Sequence, residues 1–204
     1  MSRIAKIVKS NSHVDYVGRV IDRLDAAEPP AAEDYGFAQF VGVPVSEEEE
    51  LVGVVYDTQL ANPEYGSYGP RLSPRTELSV LSPDYLNEQG VLLGILLVGR
   101  RVRGEGGGGK WECRHEVPRR VIPVGQDVHA LGDADVQAFH RGAGGAVGLR
   151  YYSQVIAHAG PFAVPLIEAV ISQLEPLCEP SEQQRLCVLK KSLVWQRTLG
   201  QLRL

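Results

Sequence analysis

The sequence predicts an α+β protein in which a small antiparallel β-barrel of about six or seven strands precedes a helical subdomain. Two observations lead to this prediction. Short segments before residue 125 are apolar at every second position and are separated by turn-forming residues, as in a closed or nearly closed sheet. After Gly125 the apolar residues recur at helical spacing. We therefore expect a barrel domain over residues 1–125 and a helical subdomain over residues 126–204.

Residues 3–9 and 13–21 are expected to form the first pair of strands. In the second strand Val14, Tyr16 and Val20 alternate with polar residues. Because successive side chains of a strand point to opposite faces, this alternation predicts one buried face and one hydrated face.

The stretch from residue 22 to residue 57 predicts a surface loop followed by a β-hairpin. Residues 22–36 are acidic and contain two adjacent prolines, which favours a loop. Two segments rich in Val and Phe then flank Ser46–Glu50, whose four consecutive carboxylates should repel one another and stay in water at the hairpin tip. Gly53 in the second arm indicates a bulge or a sharp bend of the strand.

A second long hairpin is expected between residues 91 and 117. Residues 91–98 form an apolar run of eight, too short to span a bilayer and typical of a buried strand or a short core helix. Residues 104–109 are nearly all glycine and are expected to form the turn. Residues 111–117 alternate again, which predicts the returning strand.

The remaining chain is predicted to be helical. Asp133 is a candidate N-cap for a helix over residues 133–140. Residues 149–159 and 163–177 follow as two further helices. Ser181 with Gln184 matches a capping box that would open the last helix. The apolar stripe of that last helix consists of Leu186, Leu189, Leu193 and Trp195.

Composition narrows the class of protein. The chain of 204 residues has a net charge of −4, so no overall basic field attracts it to nucleic acid or to an anionic membrane. Its three cysteines are an odd number at unrelated spacings, which argues against a disulfide framework. The N-terminus lacks the apolar core of a signal peptide. We expect a cytoplasmic protein that is not inserted in a membrane.

The segment Thr58–Pro83 is the first candidate for a contact surface. It has no clear periodicity and contains four prolines, and long loops of this kind are commonly functional or disordered. Its candidate partner-binding residues are Tyr65, Tyr68, Arg71 and Arg75. The alternative is a loop that covers one end of the barrel by packing its own aromatic side chains.

A charge asymmetry provides the second candidate surface. Residues 100–120 contain seven basic and three acidic residues, which gives this segment a charge of +4. Because the whole chain has a net charge of −4, the remaining residues carry −8. A basic hairpin with a tryptophan could bind nucleic acid by phosphate contacts and stacking. The candidate residues for this alternative are Arg100, Arg101, Arg103, Lys110 and Trp111. The other reading is a solvated hairpin, or one that pairs with an acidic surface.

Local motifs for catalysis are weak. Gly104–Lys110 satisfies the G-x-x-x-x-G-K spacing, but Trp111 replaces the Ser or Thr that a phosphate-binding loop needs, and a strand follows where a helix is required. Cys113 and His115 are only two potential metal ligands. No G-x-S-x-G nucleophile elbow is present. We expect no catalytic residues, no cofactor and no metal; ATP hydrolysis dependent on Lys110 is the remaining enzymatic hypothesis.

The first hundred residues resemble the small barrel called the HAS-barrel, found at the N-terminus of HerA-type DNA-translocating ATPases and of rotary ATP synthase subunits. The matching positions are Gly18 and Val20 at the end of the first strand pair, and Gly53 and Val55 in the V-x-G-x-V arm. The resemblance implies a barrel that forms a collar or docks partner proteins. A helical tail replaces the ATPase domain here, so the resemblance transfers no catalytic residue.

These observations predict a non-enzymatic assembly or docking module. Its expected partner is a protein, with a HerA-type ATPase or a related DNA-processing complex as the candidate, and homo-oligomerisation is expected as well. Direct nucleic-acid binding through the basic hairpin is the alternative function.

Overall fold

A computed structural model describes residues 2–63, 89–104, 111–141 and 145–201, with side chains up to residue 191. Within these residues seven β-strands precede four α-helices, so the predicted α+β class is confirmed. The strands are β1 (Arg3–Ser10), β2 (Asp15–Val20), β3 (Phe40–Pro44), β4 (Glu49–Ala61), β5 (Gly90–Arg103), β6 (Trp111–Arg114) and β7 (Asp127–Ala130). The helices are α1 (Asp133–Arg141), α2 (Tyr152–His158), α3 (Ala163–Leu174) and α4 (Pro180–Gln201).

Six of the strands close into an antiparallel barrel. The order is β2-β1-β7-β3-β4-β5, and pairing of β2 with β5 closes the circle. The seventh strand, β6, pairs with the last four residues of β5 and has no second strand neighbour among the described residues. This arrangement confirms the predicted barrel. The last residues of β5 lie beyond its pairing with β2. There β5 pairs with β4 on one side and with β6 on the other.

The predicted strand faces appear in the barrel. Val14, Tyr16 and Val20 are all less than 7% exposed, as the alternation in this segment indicates. The apolar run of residues 91–98 is part of β5 and is not a helix. Gly53 marks a break in the register between β4 and β5, which confirms the predicted bulge.

The predicted hairpin of residues 37–57 is formed by β3 and β4, but the acidic tip is shorter than expected. Only Ser46, Glu47 and Glu48 make the exposed turn. Glu49 and Glu50 belong to β4 and are 9% and 5% exposed, so the expectation that all four carboxylates stay in water is wrong. Basic side chains from β5 compensate their burial, as described below.

Strand β7 was not expected from the sequence. It lies beyond residue 125 and inserts between β1 and β3, so the sheet extends into the segment predicted to be helical. With four residues, of which only Val128 is fully buried, β7 is too short to show a periodic pattern.

Four helices follow, as predicted, but the residues that cap the first and the last helix differ from the predicted ones. Val136 N–H donates to the Gly132 carbonyl, which places Asp133 in the first turn and not at the N-cap. Helix α4 begins at Pro180, and Glu182 accepts a hydrogen bond from the Glu179 N–H at 3.1 Å. The cap of this helix is therefore Glu179 with Glu182, and not Ser181 with Gln184.

The helices pack against the barrel and share its core. Buried residues of the strands form one continuous apolar cluster with Phe139 of α1, Val155 of α2 and the buried face of α3. In α4, Leu186 is buried and Leu189 packs against the same cluster, while the side chains of Leu193 and Trp195 lie outside the described part. None of the described helices combines the length and apolar character needed to cross a bilayer.

Candidate binding surface at one end of the barrel

Antiparallel pairing of β4 with β5 brings the acidic hairpin tip and the basic hairpin together. Glu50 lies opposite Arg101, and Leu51 lies opposite Arg100. The +4 segment and the run of four glutamates, which are about fifty residues apart in the sequence, therefore share one end of the barrel. Cross-strand pairs of opposite charge are mutually stabilising.

Arg101 is the most deeply buried charge, with 2% exposure. Its Nε donates to Glu50 Oε2, and its Nη1 donates to Asp135 Oδ1 of helix α1 at 2.6 Å. Gly42 on β3 makes room for this network, because a Cβ at that position would overlap the Glu50 carboxylate. An arginine held by two carboxylates in the core fixes the barrel against α1 and cannot reach a ligand at the surface.

Arg100 points to the other face of β5 and is held by two carboxylates as well. Its Nη1 donates to Glu49 Oε1 at 3.0 Å, and its Nε donates to Glu116 Oε1 at 2.6 Å. These hydrogen bonds, first to Glu116 and then to Glu49, raise the pKa of Arg100. The second oxygen of Glu49 accepts from Arg120 Nε at 2.8 Å. Much of the positive charge of residues 100–120 is therefore neutralised inside the molecule.

Trp111, the first residue of β6, lies beside two of the arginines. The guanidinium carbons of Arg101 and Arg103 are 4.7 Å and 5.2 Å from its ring centroid. Such distances are typical of cation–π contacts. Trp111 opens a strand after the glycine-rich segment, as predicted, but β6 ends at Arg114, so the predicted strand over residues 111–117 is three residues too long. Residues 105–110, including Lys110, lie outside the described part.

Beyond β6 the chain forms an exposed ridge. We define the basic ridge as residues 117–121, in which every residue except Pro118 is exposed. It borders a groove of about 610 Å³ whose other walls carry Glu49, Arg100, Arg114 and Glu116. Val117 is 53% and Val121 is 70% exposed, on either side of the two arginines of the ridge.

The backbone of the basic ridge is tied to the barrel at both ends. His13 Nε2 lies 2.6 Å from the Pro118 carbonyl oxygen, and the Ile122 N–H donates to the Tyr16 hydroxyl at 3.2 Å. Ile122 itself is buried. The exposed valines and arginines are therefore displayed by a backbone that is held in place, even though it has no regular secondary structure.

A buried histidine network lies behind β6 and joins it to the helices. His140 donates from Nδ1 to the Val136 carbonyl at 2.7 Å, so its Nε2 accepts from the Tyr151 hydroxyl at 2.7 Å. His115 donates from Nε2 to the Phe139 carbonyl at 3.0 Å and accepts from the Arg150 N–H. Burial lowers the pKa of His140 to about 3 and that of His115 to about 4. Both rings are neutral, and both nitrogens of each ring take part in a hydrogen bond.

The candidates from the sequence are distributed as follows. Arg100, Arg103 and Trp111 lie at this end of the barrel, and Arg101 lies beneath its surface. The partner-binding candidates Tyr65, Tyr68, Arg71 and Arg75 lie outside the described residues, as does Lys110.

Sequence reasoning counted Arg119 and Arg120 in the charge balance but did not single them out, and it passed over the two valines beside them. The Val-Pro-Arg-Arg-Val string was the available signal, because proline followed by paired arginines and an isolated valine is typical of an exposed loop.

The cysteines and histidines of the described residues do not converge on a metal site. Cys113, Cys178 and Cys187 are free thiols, and no cluster of three or more potential metal ligands is found among the described residues. His115 faces Phe139 and Tyr151, with ring centroids 4.4 Å and 5.1 Å away, and not Cys113. Its place in the hydrogen-bond network accounts for its burial.

Comparison with known proteins gives a family but no activity. A search of curated proteins finds none that matches the chain. One family model matches residues 1–203, which is nearly the entire sequence. The chain therefore belongs to the family described as a domain of unknown function, DUF8166.

Proposed function

We propose that the chain is a non-enzymatic docking module that binds a protein partner through the basic ridge. The observation that supports this proposal is the exposure of Val117 and Val121 on either side of Arg119 and Arg120. Arginine is enriched at protein–protein interfaces, and exposed aliphatic side chains beside it gain from burial when a partner binds. A polar rim is present as well, because the adjoining groove carries both arginines and glutamates.

The tethering of the basic ridge supports docking in a second way. Binding costs free energy when loops and side chains lose freedom, and a surface that is already ordered loses less. The contacts of His13 with Pro118 and of Tyr16 with Ile122 hold the backbone of the ridge in advance. A partner would therefore meet a formed surface.

The HAS-barrel resemblance suggests the class of partner. In that family the barrel docks proteins at one end of an ATPase assembly, so a HerA-type ATPase is the partner that we propose to test first, in the cytoplasm. The segment Thr58–Pro83, with Tyr65, Tyr68, Arg71 and Arg75, remains a second proposed contact. Its first four residues belong to β4 and not to a loop, and Ala61 pairs with Gly90 at the other end of β4 and β5 from the basic ridge.

Protein is a better match than nucleic acid for this surface. Phosphate binding needs cations that are not already neutralised, whereas Arg100 and Arg101 are each held by two carboxylates. The specific observation that favours nucleic acid is Arg103, exposed and over the ring of Trp111. That alternative predicts a gel shift at low salt that disappears in Arg103→Ser; no shift for the parent protein would exclude it.

The docking proposal is tested by Val121→Asp. A carboxylate at the centre of a buried apolar contact should weaken binding to a purified HerA-type ATPase by at least about tenfold, measured by biolayer interferometry. The matched control is Val188→Asp on helix α4, because Val188 is 68% exposed and Val121 is 70% exposed. Equal binding by both variants would contradict the ridge as the contact, and no binding by the parent would contradict this class of partner.

A further inference from the structure

A second exposed, charged surface lies at the opposite end of the barrel. We define the acidic loop as residues 22–34, which contain five carboxylates and one arginine, a sum of −4. Leu24 is 64% exposed within it, and Glu28 and Glu33 are exposed as well. The loop therefore presents an aliphatic side chain between carboxylates, whereas the basic ridge presents two arginines between aliphatic side chains.

The start of the acidic loop is fixed by ion pairs that leave its outer carboxylates in solvent. Arg19 at the end of β2 binds Asp22 at 3.4 Å and Asp25 at 3.1 Å. The Asp22 carboxylate also accepts from the Leu24 N–H at 2.8 Å, which holds the turn that exposes Leu24. The remaining loop borders a cavity of about 470 Å³ beside Ser2 and Arg3.

The two surfaces are displayed at different ends of the strands. The acidic loop begins just after Arg19, which pairs with Leu92 near the start of β5, whereas the groove of the basic ridge contains Arg100 near the end of β5. Eight residues separate these positions, which corresponds to about 26 Å along the strand. The basic ridge is tied instead to His13, before the start of β2. A contact between the acidic loop and the basic ridge is therefore expected between two copies of the chain.

We infer that the basic ridge of one copy binds the acidic loop of a second copy. The inference rests on the proposed function, because it assigns a partner to the docking surface. Carboxylates of the loop would meet Arg114 and Arg119, and Leu24 would pack between Val117 and Val121. Both halves of the contact are thus complementary in charge, and both expose aliphatic side chains next to the charged groups.

The two contact surfaces are different and lie at opposite ends, so the association is heterologous. In such a contact one copy keeps a free loop and the other keeps a free ridge, so the assembly extends head to tail unless rotation closes it. The acidic loop is then the competitor of any other protein that binds the basic ridge. Self-assembly and docking of a different partner become mutually exclusive states of one surface.

A charge exchange tests this inference. The first variant carries Arg114→Glu with Arg119→Glu, which leaves the pair of Arg120 with Glu49 intact. The second carries Glu28→Arg with Glu33→Arg. Arg185→Glu with Lys191→Glu on helix α4 is the control, since it changes the total charge as the first variant does and lies on an exposed helical face.

Sedimentation velocity at low salt should show the parent and the control as species larger than the 22.3 kDa monomer. Each charge variant alone should dissociate at least tenfold more readily, because the first variant makes the ridge side acidic and the second brings the −4 of the acidic loop to zero, so neither keeps two ends of opposite charge. An equimolar mixture of the two variants should associate again, and about 1 M salt should dissociate every species, since it screens charges beyond about 3 Å.

The outcomes separate this inference from the docking proposal. A parent that is monomeric at low salt, or variants that associate as the parent does, would overturn the second copy as the occupant. If the same variants lose the ATPase, or if Val121→Asp does, the ridge remains a docking surface for that partner alone. If neither self-association nor ATPase binding depends on the ridge, both proposals fail.

Discussion

The two groups of arginines on the basic hairpin behave in opposite ways. Arg100 and Arg101 in β5 are each held between carboxylates. The Arg100 side chain is 28% exposed and the Arg101 side chain is 2% exposed. Arg119 and Arg120 follow β6 by a few residues and remain exposed. The first pair stabilises the fold, whereas Arg119 and Arg120 face solvent, with Arg120 also donating to Glu49 Oε2 at 2.8 Å.

This contrast shows why net charge along a sequence is a poor guide to a binding surface. The sum over residues 100–120 is +4, but the carboxylates that neutralise it come from β4 and from helix α1. The pairing of strands decides which of these basic side chains are neutralised. The basic side chains that stay exposed are fewer than the sequence segment contains. The predictions below test that division, beginning with the arginine that contributes most to stability.

Arg101→Met should cause the largest loss of stability. The substitution leaves Glu50 buried without its cation, and breaking a buried ion pair in this way costs about 3–5 kcal/mol. The free energy of unfolding, measured by urea denaturation, should fall by this amount. Arg103→Met is the control, because Arg103 lies two residues further along the same strand and is exposed; its cost should stay within about 1 kcal/mol.

A double variant separates the charge from the packing. Arg101→Met with Glu50→Leu removes both buried charges, and apolar replacement of a buried pair is commonly neutral or stabilising. Asp135, with a side chain 30% exposed, can then be hydrated. The double variant should therefore be more stable than Arg101→Met alone. A double variant that is less stable would show that packing against Gly42, and not the charge, determines this site.

The barrel could be predicted from the sequence because β2 alternates over its six residues and the longer strands β4 and β5 are rich in apolar residues. Alternation in residues 13–21 predicted β2 and its buried face, and Gly53 predicted the bulge. Four-residue β7 carries too few positions for a period to be visible, so the last strand was missed. Helical spacing of apolar residues also predicted the positions of the helices. The caps were predicted wrongly because they depend on individual hydrogen bonds to backbone N–H groups, such as that of Glu182 with the Glu179 N–H.

The candidate site could be predicted only in part, for a related reason. The burial of Glu49 and Glu50 depends on a partner about fifty residues away, and the sequence holds no local sign of it. Four adjacent glutamates taken alone predict a hydrated tip. Only the register of β4 with β5 shows that two of them face arginines, and therefore that the basic hairpin is largely neutralised.

The histidine network predicts a pH dependence of intermediate size. His140 has a pKa of about 3 in the folded protein, below the ordinary value of 6.5 that applies when it is unfolded. The unfolded state therefore binds the proton more readily, so stability is complete above pH 6.5 and is lost as the pH falls from 6.5 towards 3. The loss should reach about 2 kcal/mol at pH 5 from this group.

Urea denaturation between pH 5 and pH 7 measures this dependence. His140→Gln should reduce stability at pH 7 and reduce the dependence on pH by about half, since His115, with a pKa of about 4, still titrates. His158→Gln on helix α2 is the matched control, because His158 is exposed. If His140→Gln keeps the slope of the parent, other groups account for the acid sensitivity and the assigned hydrogen-bond pattern of His140 and Tyr151 is not its source.

The smallest effect on stability is expected at the basic ridge. Val121 is 70% exposed, and substitutions at exposed positions usually change the free energy of unfolding by less than about 0.5 kcal/mol. Val121→Asp should therefore unfold at the same urea concentration as the parent, in contrast to Arg101→Met. A loss above about 1 kcal/mol would mean that Val121 packs against the fold, and weaker partner binding by this variant would then reflect unfolding. Unchanged stability together with weakened binding would assign the exposed arginines and valines to recognition and the buried arginine to the fold.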